Sequence, residues 1–293
     1  MKVLILDDES QVGSALIEIL AATADMEYRV VPPDLLAGAA RGVSQQIAYY
    51  SPDFIVNAHS IELTDSHRGI DKAHAQMVKS VCRAASSAGS AVIHVSSAMV
   101  FDSARGGLFS EHDKPRPRSA VSRSLVDLER MVVRHNERHV VLRGGWIFGS
   151  YGRGMFASFL RRLELGQEIS LHPGLLCTPT PSSDVARVIC AMMQQLDCGA
   201  DCWGTFHYSS SDTITSRGFA ETVVTLAANY GSVDLANIHL TDSDQFEHYG
   251  VPYHPILDCR KILNSYGIKQ RPWRSALTTI IKDIYQAVEA EAE

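Results

Sequence analysis

The sequence predicts an α/β fold, a doubly wound and largely parallel sheet with helices on both faces and a small C-terminal lobe. Three observations predict it. Strand-like and helix-like segments alternate from the first residues onward. The stretches between the strand-like runs are long enough to hold helices and too long for hairpins, so the strands they join lie parallel. Crossovers of that kind are right-handed and place helices on both sides of the sheet.

Each element follows in order. "KVLIL" is a short β-rich apolar run, and after it Val12, Leu16, Ile19 and Leu20 recur at helical spacing. "YRVV" is the second strand, stopped by Pro32-Pro33, and "DFIVNA" the third, entered through Ser51-Pro52. A helical segment over about 70–88 leads through Ala88-Gly89 to "AVIHVSS", the fourth strand. A helix over 122–135 leads to "HVVLRGG", the fifth. Beyond Gly154 the pattern loosens into shorter elements. Residues 1–154 therefore read mainly as a Rossmann-type nucleotide-binding core. Residues 155–293 read mainly as C-terminal substrate-lobe elements, with some segments returning to the core. Ligands of such sheets bind beyond the carboxyl ends of the strands, here 7–11, 57–60, 96–102 and 144–149.

Composition narrows the function classes. The chain has 293 residues and a formal net charge of −6, and no block of Lys and Arg stands out, which argues against nucleic acid as a partner. No apolar run approaches the roughly 20 residues of a membrane span, and Met1-Lys2 passes straight into "VLIL" without an export signal. A cytoplasmic protein is expected. The six cysteines, Cys82, Cys177, Cys190, Cys198, Cys202 and Cys259, are scattered; Cys198 and Cys202 lie close, but no second close pair completes a zinc set, so reduced thiols and no metal are expected.

The strand ends resemble those of the extended short-chain dehydrogenase/reductases and, within them, the dTDP-4-dehydrorhamnose reductase family of sugar-nucleotide reductases. The resemblance rests on "PDFIVNAHS", "VSSAMVFD", "LRGGWIFG", "TPTPSSDVA", "GTFHYSSSD" and "LDCRKI" followed by "PWRSAL", in that order along nearly the whole chain. "GTFHYSSSD" corresponds to the strand that begins the C-terminal lobe. The resemblance implies delivery of hydride from NAD(P)H to a keto-sugar nucleotide. A tyrosine gives the proton, a lysine lowers its pKa and holds the nicotinamide ribose, and a serine or threonine polarises the carbonyl.

Residue by residue, this chain departs from that pattern. In "EHDKPRPRSAVSRSLVDLE", Glu111, Asp113, Pro117, Arg123, Ser124 and Glu129 fall in register, which puts Val121 at the tyrosine position and Leu125 at the lysine position. Two apolar side chains four apart share a helical face and can pack together there. Ser97 keeps the serine/threonine place, followed by Ala98 and Met99 where an aspartate and a tyrosine help frame substrate. The structural asparagine of the preceding helix falls at His74. Because histidine as a residue type changes charge near neutrality, His74 is the first candidate for a substitute acid, with His94, His112 and Tyr151 behind it; a histidine in such a core is more often structural. Arg143 and Trp146 keep positions at the cleft, where an indole stacks on a sugar or base, and are the candidate substrate residues. Arg161-Arg162 read as a helix end or as contacts to substrate phosphates, and Met192-Met193 as core.

The first loop departs as well. The resemblance implies threonine, then three glycines at intervals of three; the corresponding residues are Leu6 to Gly13, and only the third glycine, Gly13, survives. Glycines let backbone N–H groups approach a pyrophosphate at a helix N-terminus. Here Asp7, Asp8 and Glu9 stand in that loop. Two unit charges about 6 Å apart at an effective dielectric near 20 interact by roughly 3 kcal/mol, so one carboxylate facing one phosphate weakens binding on the order of a hundredfold. A left-handed backbone at Asp7 would add about 1–2 kcal/mol. The expectation is that Asp8, Glu9 or Ser10 caps the first helix from within. If the loop still takes a dinucleotide, Ser10, Gln11, Val12, Gly13 and Asn57 are the candidate cofactor-binding positions. Asp34 reads as a helix cap for the segment from Leu35, or as a ribose ligand. "VLILDDE" also looks like the acidic start of a phosphoacceptor receiver domain, but that reading needs an aspartate where the third strand ends in Asn57.

The joint loss of proton donor, lysine and loop glycines makes the leading expectation a degenerate, non-catalytic member of the family (a pseudoenzyme) with a binding or regulatory role and no cofactor. The alternative is an NAD(P)-dependent reductase, or an enzyme of altered chemistry, acting on a sugar nucleotide. A protein partner, a small sugar-nucleotide ligand and a homodimer are compatible with both; nucleic acid and membrane are not expected.

Overall fold

The computed structural model describes residues 1–7, 9–31, 40–58, 72–101, 107–151, 155–171, 176–231, 233–234, 236, 238–240 and 255–292. Asp8, Pro32-Pro33, Asp34, Leu35, Asp102 and Gly154 lie outside them.

In chain order the N-terminal elements are β1 (Lys2–Leu6), α1 (Gln11–Ala21), β2 (Glu27–Val31), α2 (Ala40–Tyr50), β3 (Phe54–Asn57), α3 (Lys72–Ala88), β4 (Ala91–Ser97), a 3-10 turn at Ala98–Phe101, β5 (Leu108–Phe109), α4 (Ala120–His135), β6 (His139–Gly144) and β7 (Trp146–Phe148). There follow α5 (Met155–Glu164), β8 (Ile169–Leu171), β9 (Leu176–Cys177), β10 (Pro179–Pro181), α6 (Ser182–Asp197), β11 (Gly204–Tyr208), β12 (Ile214–Thr215), α7 (Ser216–Ala227), β13 (Ile238–Leu240), β14 (Ile256–Leu257), α8 (Arg260–Tyr266) and α9 (Arg274–Ala292).

Six strands form one sheet in the order β11-β6-β4-β3-β1-β2, with every pairing parallel. The fold is the expected Rossmann-type doubly wound sheet. Its central strands are buried on both faces, which is why they read as unbroken apolar runs. Val3, Ile5, Phe54, Val56 and Ile93 face Leu16 of α1 and Ile189 and Met192 of α6. Leu4, Leu6, Ile55 and Val92 face Ile47 of α2, Val78 of α3 and Val132 of α4. Met192 and Met193 are core, as expected.

Two boundaries differ from the sequence expectation. Helix α4 begins at Ala120 rather than 122, because Ser119 caps it by accepting from Ser122 N. "GTFHY" does not open the C-terminal lobe: it is β11, the edge strand of the main sheet beside β6. Phe206 and Tyr208, two apart and so on one face of the strand, both point into the core layer that α6 and α8 close, so this strand buries itself by pairing there. The glycine pair after β6 serves the same junction. A Cβ on Gly145 would fall 2.9 Å from both Ser209 Cβ and Thr180 Oγ1.

The remaining elements build a separate hydrophobic cluster that includes Trp146, Phe148, Phe156, Phe219, Trp273 and Ile281. Among the described residues no helix is long and apolar enough to cross a membrane. All six cysteines are free thiols; Cys198 is exposed, Cys202 is half-buried and the other four are buried.

Candidate functional site

The chain runs from β1 outward to β2 and then returns to place β3 on the other side of β1. That reversal is a topological switch point, where α/β sheets bind ligands. Leu6 and Asn57 lie opposite one another at its mouth, and Ala58 N donates to Leu6 O at 3.0 Å.

The loop that leaves β1 is closed by its own side chains. Ser10 N donates to Asp7 Oδ1 at 3.0 Å, and Ser10 Oγ donates to the same oxygen. Ser10 is also the N-cap of α1, its Oγ accepting from Gly13 N at 3.0 Å. Asp7 is only 3% exposed, and its carboxylate lies directly over Gly13: a Cβ on that glycine would fall 2.1 Å from Asp7 Cγ and 2.2 Å from Oδ1. The cap is thus Ser10, one of the three residues expected. The left-handed backbone belongs to Glu9, with φ 69°, and not to Asp7. On the far side, Gln11 Oε1 is buried near the junction of Gly149 and Ser182; a Cβ on Gly149 would lie 3.4 Å from it and 2.2 Å from Ser182 Oγ.

A dinucleotide pyrophosphate needs bare backbone at this mouth and helix N–H groups free to meet it. The residues present do not fit that need. A carboxylate occupies the space above the surviving glycine, and a serine hydroxyl uses its N–H.

The place of the tyrosine and lysine is apolar and packed. Val121 is 2% and Leu125 7% exposed, and both join Ala98, Met99, Val100 and Phe101 in the main core. Neither carries a proton that can move. Ser97 is half-buried, and its Oγ accepts from Met99 N at 3.2 Å, which turns the backbone into the 3-10 segment. It remains able to donate its own proton.

Behind this surface stands a buried polar frame. Arg143 grips Glu129 with two donors, Nε to Oε1 at 2.9 Å and NH2 to Oε2 at 2.7 Å. Ser96 Oγ donates to Glu129 Oε1 at 2.6 Å. The guanidinium lies 5.0 Å from the Phe101 ring centroid and 3.3 Å from His207 Nε2. Burial first and Arg143 second push the His207 pKa down to about 3. The ring is therefore neutral, its Nδ1 donating to Phe109 O and its Nε2 accepting from Arg143; this tautomer is assigned from the network. His207 N donates to Glu111 Oε1 at 2.9 Å.

The packing corrects two of the site expectations. Arg143 was expected to meet substrate, but it is 5% exposed and committed to Glu129. The sequence signal was available, since Glu129 and Arg143 both fall in register with the resembled motifs; opposite charges on neighbouring elements pair before they solvate. Trp146 was expected to stack on a ligand. It is 8% exposed and packs edge-on against Phe219, with ring centroids 4.7 Å apart, inside the C-terminal cluster.

The other candidates separate. Asn57 Nδ2 sits 3.1 Å from His94 Nδ1, and both side chains are buried. Burial pushes the His94 pKa down to about 4, so at neutral pH this ring holds no proton to give as an imidazolium. His74 is half-buried on α3. His112 is exposed. Tyr151 donates to Glu18 Oε2 at 2.8 Å, and that bond, helped by burial, raises its pKa to about 12. Arg162 donates to Glu168 O at 2.7 Å and so closes the end of α5. The described bond of Ser97 is to its own turn.

The chain matches a family model described as the RmlD substrate binding domain over residues 1–286. A dTDP-4-dehydrorhamnose reductase from Sinorhizobium fredii is 25% identical over 254 residues, covering 82% of this chain and 83% of that protein. A methionine adenosyltransferase 2 subunit beta from Danio rerio is 25% identical over 246 residues, covering 82% of this chain and 74% of that one. Among solved structures, a dTDP-4-dehydrorhamnose reductase from Bacillus anthracis in complex with NADP superposes with a TM-score of 0.80 at 19% identity, covering 96% and 99% of the two chains. The expectation that no cofactor is bound draws no support from that neighbour.

Proposed function

Because the chain belongs to the RmlD substrate-binding-domain family, we propose that it is a sugar-nucleotide-binding member of that family that acts by binding, in a regulatory or partner role, and not by reduction. The observation that carries this reading is the pair Val121 and Leu125, packed into the core where the resemblance places the proton donor and its lysine. A keto-sugar accepting hydride must have its developing alkoxide protonated, and general acid catalysis of that kind is worth about 10²–10⁴ in rate. The self-capped loop supports the same reading, as does a relative that is a subunit of a different enzyme.

The test is a paired measurement. Calorimetry with a dTDP-sugar is expected to show saturable binding. NADPH oxidation in the presence of a dTDP-4-keto-6-deoxysugar is expected to run at least a hundredfold below that of a dTDP-4-dehydrorhamnose reductase assayed alongside, the lower bound of the lost acid catalysis. Turnover within tenfold of that enzyme would overturn the reading.

A second reading, an NAD(P)-dependent reductase or an enzyme of altered chemistry on a sugar nucleotide, is favoured by the names of the relatives and by the NADP held in the Bacillus anthracis structure. In this reading Ser97 polarises the carbonyl and a histidine or solvent supplies the proton. Replacing Ser97 by Ala would then remove the activity; under the binding reading it changes no rate.

A further inference from the structure

We propose that Asp7 is a tethered anion, a residue built into the chain that takes the place of a dinucleotide's pyrophosphate and sets the ligand specificity of this mouth against NAD(P). The inference deepens the binding reading given above and rests on it for the ligand that remains welcome, the nucleotide sugar.

The carboxylate is held as a bound phosphate would be. It accepts from a backbone N–H and a hydroxyl of Ser10, immediately before α1. Ser10 in turn accepts from Gly13 N, so the anion, the hydroxyl and a first-turn amide of the helix form one chain of donors and acceptors. Bonds to an ionised acceptor are stronger than neutral ones, and negative charge is favoured at a helix N-terminus. The Asp7 atoms also cover the backbone at Gly13, at less than van der Waals distance from where a Cβ on that glycine would stand. Gln11 and Ser182 fill the opposite flank against Gly149. A pyrophosphate arriving here would meet both a filled volume and a like charge.

The experiment compares wild type, Asp7→Gly and Asp7→Asn in NADPH titrations read by tryptophan quenching, with dTDP as control ligand. Asp7→Gly removes bulk and charge and is expected to bind NADPH on the order of a hundredfold tighter than wild type, the factor for one carboxylate–phosphate pair. Asp7→Asn removes the same charge but leaves the volume filled, so only part of that factor, about tenfold, is expected. Affinity for dTDP stays unchanged in both. If Asp7→Gly does not fold, as judged by circular dichroism, Asp7→Asn decides alone. The proposal is overturned if wild type saturates with NADPH at micromolar concentration, or if the folded variants bind NADPH no tighter than wild type. Failure of wild type to bind dTDP-sugars would instead sink the function proposed above and leave the comparison at Asp7 standing.

Discussion

Two regions at the carboxyl edge of the sheet differ in kind. The frame of Ser96, Glu129, Arg143 and His207 is buried, charged and fully engaged, and it locks β4, α4, β6 and β11 together. The mouth, from Asp7 to Gly13 and across to Val121 and Leu125, lies beside it and has the residues of a ligand site exchanged for self-contact. The frame follows the resembled motifs and the mouth does not. The difference teaches that packing and chemistry are separable constraints: the frame can be kept for stability alone while the groups that face a ligand are rewritten.

If the two regions are separable, substitutions in the frame should cost stability, and those in the mouth should change binding with a small cost. The largest effect is expected at Glu129→Gln, which leaves the Arg143 guanidinium buried without its counter-charge. Breaking such a pair costs about 3–5 kcal/mol, read as a lowered urea midpoint. A loss below about 1 kcal/mol, the level of an exposed ion pair, would dissolve the distinction.

An intermediate effect is expected from pH. His94 and His207 have pKa values near 4 and 3 in the folded chain, both pushed down by burial, against an ordinary value of 6.5. As pH falls below 6.5 the unfolded chain takes up protons that the folded one refuses, so stability is intact above that pH and lost progressively down through about pH 4 for His94 and about pH 3 for His207. Equilibrium unfolding at stepped pH should show this slope, and His94→Gln, which can keep a hydrogen bond to Asn57, should flatten it. An unchanged slope would mean that His94 is not held neutral by burial in the folded chain.

The smallest effect is expected at Ser10→Ala, which removes the cap of α1 and one support of Asp7. Loss of an N-cap costs about 1 kcal/mol, or a fall of a few degrees in Tm for a chain of this size. A much larger loss would mean that the mouth is itself part of the frame.

The main sheet was legible because its strands are buried on both faces and so read as continuous apolar runs between turn residues. The place of β11 was not: "GTFHY" gives a strand, but only the facing helices α6 and α8 decide which sheet receives it. The two-residue strands β5, β9, β12 and β14 carry no periodicity to read. At the site, the loss of tyrosine and lysine could be counted along the chain, because a four-residue spacing survives any fold. Where a side chain spends its polar atoms could not. Arg143 and Trp146 sit at the expected positions yet face inward, to Glu129 and Phe219. The cap at Ser10 was among three alternatives, and only the shape of the loop separates them.

The contact of the Asp7 carboxylate with Gly13 makes the two positions a ratchet. With Asp7 in place, any larger residue at position 13 collides with it, so substitutions at these two positions are bound to behave non-additively. A lineage that acquires the aspartate first can no longer drift at the glycine. To wander there, it must first give the aspartate back.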